Sequence, residues 1–100
     1  MRKAARTDRN QAEIVKAFRQ IGASVQVLSA VGKGCPDTLV GFRGVNVLVE
    51  IKDGEKVPSK QKLTSDQTRW HENWAGQVCI ANDISDAVEQ VVRVSMGINA

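Results

Sequence analysis

Two apolar runs, Asp37 to Phe42 and Val45 to Lys52, are separated only by Arg43 and Gly44, and this pair constrains the fold more than any other feature of the chain. A two-residue connection between runs rich in β-branched residues suits a β-hairpin. The second run contains Val45-Asn46-Val47-Leu48-Val49, nearly continuous in apolar residues, which predicts a strand covered on both faces near the centre of a sheet.

The remaining segments arrange themselves around that hairpin. From Thr7 to Ile21, Ile14, Ala17, Phe18 and Ile21 recur at helical spacing, with Asn10 and Glu13 placed as a capping pair and Gly22 as the stop. Ser24 to Ser29 reads as a short strand burying Val25, Val27 and Leu28. After a polar loop from Asp53 to Lys62, Thr64 and Gln67 form a capping box for a second helix, which runs through Trp70 and Trp74 and stops at Gly76. Gln77 to Ala81 predicts another strand, and Ile84, Ala87, Val88 and Val91 form the apolar face of a last helix. The expected class is therefore α/β, a mixed central sheet flanked by helices. With 100 residues, 42% of them hydrophobic, the chain has apolar material for a single domain over residues 1–100.

Charge and cysteine usage narrow the function classes. A net charge of +3 favours a polyanionic partner without proving one. Cys35 and Cys79 form no CxxC pair, and His71 is the sole histidine, so a zinc site would lack ligands and free thiols are expected. The basic start MRKAARTDRN precedes no apolar stretch, which predicts neither signal peptide nor membrane anchor and a cytoplasmic protein.

The chemistry concentrates in Pro36-Asp37 and Glu50-Ile51-Lys52. Side chains alternate along a strand, so Glu50 and Lys52 share a face while Ile51 points into the core. With the turn at Arg43-Gly44, the start of the first strand lies opposite the end of the second, which brings Asp37 beside them. Carboxylates are hard ligands for Mg²⁺ or Mn²⁺, a lysine can orient water or stabilise negative oxygens, and the Ile51 carbonyl is a further candidate ligand. On spacing alone, a salt bridge at a strand end and a turn residue after proline account for these residues ahead of chemistry, because Glu-x-Lys is short and common.

The set Gly34-Cys35-Pro36-Asp37, Val49-Glu50-Ile51-Lys52 and Leu63-Thr64-Ser65-Asp66-Gln67 with Trp70 resembles the PD-(D/E)XK nuclease superfamily. Within it, the virus-type replication-repair nuclease (VRR-NUC) domain is similar from about Gln11 to Trp74. The resemblance implies a restriction-endonuclease-like core, Asp37 and Glu50 as metal ligands, Lys52 as the catalytic lysine, Glu13 as a supporting acid and Gln67 as a residue facing the active site. The family usually shows valine where this chain has Ile51, a change that leaves the carbonyl unaltered. The implied activity is endonucleolytic cleavage of DNA with Mg²⁺ or Mn²⁺, leaving a 5′-phosphate and a 3′-hydroxyl. Stand-alone members resemble Holliday-junction resolvases, which implies branched DNA, a homodimer and a phage source in a host cytoplasm. A flap, nick or general structure-specific nuclease and a non-catalytic DNA-binding subunit are the alternatives.

Other residues carry two readings each. Glu13 and Gln67 explain themselves as capping residues as well as site residues. Lys33, Lys56, Lys60, Lys62 and Arg69 are candidates for DNA phosphates, and Gly32 and Gly34 would let backbone near Asp37 approach a phosphate. Trp70 and Trp74 lie on one helical face, for which core packing is expected ahead of base stacking, and His71 is expected as an exposed histidine.

Overall fold

The computed structural model describes residues 9–54 and 62–98. The hairpin forms as its turn chemistry requires. Arg43 and Gly44 both take positive φ, 52° and 81°, which is the backbone of a tight turn matched to the twist of the strands. It joins β2 (Thr38–Phe42) to β3 (Val45–Ile51), with Thr38 opposite Val49 and Phe42 opposite Val45.

Strand β1 (Ser24–Val27) pairs antiparallel with β2, and β4 (Val78–Ala81) pairs parallel with β3, giving one sheet in the order β1-β2-β3-β4. The parallel pair needs a crossover, and helix α2 (Ser65–Asn73) lies in that connection. Helices α1 (Arg9–Gln20) and α3 (Ile84–Ser95) pack against each other and against one face of the sheet. The core between them contains Ile14 and Phe18 from α1, Val40 and Phe42 from β2, Val47, Val49 and Ile51 from β3, and Ala87, Val91 and Val94 from α3. The opposite face of β3 presents Asn46, Leu48 and Glu50. The predicted mixed α/β architecture is therefore observed.

Four local expectations are corrected. Asn10 lies inside the first turn of α1 and does not cap it: its amide donates to the Lys52 carbonyl at 2.7 Å, a tertiary partner that the helix terminus does not offer. Val27 is 43% exposed, because it ends the edge strand β1 and borders an open groove beside α1. Ile84 is exposed and Val94 buried, which shifts the buried stripe of α3 one turn towards its C-terminus. Helix α2 ends at Asn73 and buries none of its residues, so neither tryptophan is a core residue. Among the described residues, no helix is long and apolar enough to cross a membrane.

Candidate active site

The hairpin register puts Asp37, immediately before β2, opposite Glu50 on β3. Asp37 Oδ2 accepts a hydrogen bond from the Ile51 amide at 2.8 Å, which ties its carboxylate to the end of the neighbouring strand. Glu50 and Lys52 project from one face, with Lys52 Nζ 3.8 Å from Glu50 Oε2. Alternation along β3 sends Val49 and Ile51 into the core instead, as expected.

Helix α2 closes this cluster. Thr64 and Gln67 make the predicted capping box: the Gln67 amide donates to Thr64 Oγ1 at 3.2 Å, and the Thr64 amide donates to Gln67 Oε1 at 2.9 Å. The same Gln67 side chain accepts from Lys52 Nζ at 2.9 Å and donates through Nε2 to Glu50 Oε2 at 3.0 Å. One side chain thus both caps α2 and bridges Lys52 to Glu50. Its helix is held against the loop before Asp37 by Gly34, whose φ is +85° and whose added Cβ would stand 2.4 Å from the Asp66 carbonyl oxygen. The close approach permitted by Gly34 is thus to the first turn of α2.

The electrostatics are those of two carboxylates forced together out of water. Glu50 is 2% exposed, and its Oε1 has no hydrogen-bond partner among the described residues. Burial pushes its carboxyl up to about 8, the Asp37 charge pushes the same way, and Lys52 opposes them. The Cys35 thiol is also raised, by burial first and then by Glu50 and Asp37. Both cysteines are free, and Cys79, in the core, is pushed up to about 12 by burial and then by Asp86. An orphaned carboxylate oxygen beside a second carboxylate fits a hard divalent cation, which would relieve their mutual repulsion. Among the described residues no cluster of three His, Cys, Asp or Glu side chains forms a metal site, so further ligands would be backbone, water or phosphate oxygens.

The other predicted residues divide. Glu13 is exposed on α1 and has no hydrogen bond or ion pair among the described residues. The buried polar residue of that helix is Gln11, whose amide donates to Ser29 Oγ at 3.2 Å. Lys33, Arg69, Trp70 and Trp74 line one groove of about 540 Å³. Lys62 is exposed, and Lys56 and Lys60 lie outside the described residues. His71 is half-buried rather than exposed: its Nε2 is shielded without a partner among the described residues, and burial and then the Lys52 charge lower its pKa. Asn10, whose amide anchors the Lys52 carbonyl, was hidden from sequence reasoning because its partner is distant in the chain.

A restriction-endonuclease-like α/β core carrying an acidic pair and a lysine at the end of its central hairpin is the class that this geometry defines. Neither models of known families nor curated proteins give a match. A solved structure described as a VRR_NUC domain is similar, with 29% identity and a TM-score of 0.63 over 84% of this chain and 91% of that one. The likeness supports a VRR-NUC domain.

Proposed function

We propose that the chain is a metal-dependent endonuclease that hydrolyses phosphodiester bonds in branched DNA. The likeness to a VRR_NUC domain supports a function within the nuclease family. The observation that supports metal-dependent hydrolysis is the convergence of Asp37, Glu50, Lys52 and Gln67 around an unpartnered, buried carboxylate oxygen.

Asp37, Glu50 and the Ile51 carbonyl would hold Mg²⁺ or Mn²⁺. The ion supplies Lewis-acid polarisation of the phosphate and a lowered pKa for water. The Lys52 ammonium, aimed by Gln67 Oε1, donates to the attacking water or to a non-bridging phosphate oxygen as negative charge grows. Gln67 Nε2 holds one Glu50 oxygen in place, so its other oxygen keeps a fixed direction towards the site. The hydrogen bond from the Ile51 amide does the same for Asp37. Such fixed dipoles and charges need little reorganisation during reaction, and this accounts for a lysine and a glutamine locked before substrate arrives. In-line attack by water would leave a 5′-phosphate and a 3′-hydroxyl. A homodimer would place two such sites on the opposed strands of a four-way junction.

The test is cleavage of labelled four-way junction, flap and linear duplex DNA with Mg²⁺, Mn²⁺ or EDTA, wild type beside Lys52→Ala. Metal-dependent cutting that Lys52→Ala removes is the expected result. Binding without cutting on every DNA would replace this reading with a DNA-binding subunit.

A further inference from the structure

Helix α2 buries none of its residues, yet Trp70 lies on it and Trp74 caps it, and these are both tryptophans of the chain. Trp70 is half-buried, and both tryptophans also wall an apolar groove with Leu39 and Leu48 of the sheet. Here the rings of Trp70 and Trp74 stack on each other, with centroids 4.7 Å apart and planes 19° from parallel, and Trp74 remains 45% exposed. Stacking orders two indoles into a flat-sided unit at the edge of a groove of about 540 Å³, whose other walls include Lys33 and Arg69. Trp70 follows Gln67 by one helical turn, so the stack sits beside the Lys52 and Glu50 cluster on a shared rigid element.

We propose that the Trp70–Trp74 stack is a platform for an unpaired nucleobase next to the cut, with Lys33 and Arg69 taking the flanking phosphates. This rests on the nuclease reading above and names, within branched DNA, the substrates favoured: those with an unpaired strand at the branch, such as a flap, over a fully paired four-way junction. A base within a duplex has both faces covered by its neighbours and offers only its edges, so an indole face can receive only a base that has left the stack. Any base has a π-face, so the platform selects for unpaired structure and tolerates sequence. Charge complementarity favours a nucleic acid strand as occupant. The two cations outnumber Asp66, the single acid on the groove among the described residues, and Arg69 Nη1 contacts Asp66 Oδ1 at 3.3 Å in an exposed pair that a phosphate can displace.

The chain has only these two tryptophans, so its intrinsic tryptophan fluorescence reports this site alone. The 100-residue chain in EDTA is titrated with oligothymidylate, an abasic strand of equal length and a blunt duplex. Saturable quenching is expected with oligothymidylate, at an affinity about tenfold above that for the abasic strand. Trp74→Ala should abolish that difference and Trp74→Phe retain part of it. With Mg²⁺, Trp74→Ala should lower the preference for a flap over paired duplex about tenfold, chiefly through KM. Equal affinity for the thymidylate and abasic strands, or an unchanged flap preference in Trp74→Ala, would overturn the platform. A change of oligomeric state in DNA-free Trp74→Ala, seen by sedimentation, would overturn it in favour of a subunit contact. Cutting without quenching leaves the nuclease reading standing and removes the platform, whereas quenching without cutting of any DNA does the reverse.

Discussion

Replacing Glu50 by glutamine should make the metal-free protein more stable at neutral pH. The folded chain raises the Glu50 carboxyl from 4.5 to about 8. A group raised in this way contributes stability that is fully present below pH 4.5 and is lost as pH rises through about 8. Between those values the native state binds the proton more tightly than the unfolded chain, so stability falls with pH. At about 1.4 kcal/mol per unit, the loss reaches roughly 3 kcal/mol by pH 7 as an upper bound. The substituted glutamine side chain would be neutral at every pH and close in volume, would place an amide donor beside the Asp37 carboxylate, and could accept from Gln67. After allowing about 1 kcal/mol for imperfect hydrogen bonds, Glu50→Gln should gain about 1–2 kcal/mol at pH 7 in EDTA. For a domain of this size that is a rise in Tm of roughly 4–16 °C. Urea unfolding of both proteins from pH 5 to 9 measures it. The gap should widen with pH, and Mg²⁺ should narrow it by stabilising the wild type alone. A wild-type stability that stays flat or rises from pH 5 to 8 in EDTA, or a Glu50→Gln protein less stable than wild type at pH 8, would refute the account of two carboxylates forced together.

The remaining predictions concern separate parts of the site. Asp37→Asn, Glu50→Gln and Lys52→Ala should each reduce cutting at least about a hundredfold in single-turnover assays while circular dichroism shows the fold retained. Thr64→Ala and Gln67→Ala should each cost about 1 kcal/mol in thermal unfolding through the lost cap. Gln67→Ala should lose far more cleavage, since its side chain alone also bonds Lys52 and Glu50. Gly34→Ala combines a positive φ with a Cβ clash against the Asp66 carbonyl, so it should destabilise by about 1–3 kcal/mol and slow cutting by displacing α2. In the native protein Cys79, buried and with its thiol pushed up to about 12, should react with a disulfide reagent only as fast as the chain unfolds, which stopped-flow thiol titration measures.

Much of the site was legible because its geometry is local. Period-two alternation fixes that Glu50 and Lys52 share a face, and the turn at Arg43-Gly44 fixes the register that brings Asp37 opposite Glu50. The Thr64 and Gln67 cap spans three residues, so its existence too follows from the chain order. Whether such a cap also reaches the acidic pair does not follow from spacing. Only the docking of α2 by way of Gly34 turns Gln67 from a helix cap into a partner of Lys52 and Glu50.

Burial and long-range pairing were decided by tertiary structure. Asn10 reads as a capping residue, and it became the anchor of the Lys52 carbonyl because folding brings positions 42 residues apart into contact. Trp70 and Trp74 read as core because large apolar side chains at helical spacing usually are, but the placement of α2 leaves them outside it. The raised pKa of Glu50 has the same origin, since desolvation depends on what covers a side chain and not on its neighbours in sequence. Short-range order determined the elements, the hairpin register and the set of charged residues at its end; packing determined which of them meet, which stay dry and which remain open to a ligand.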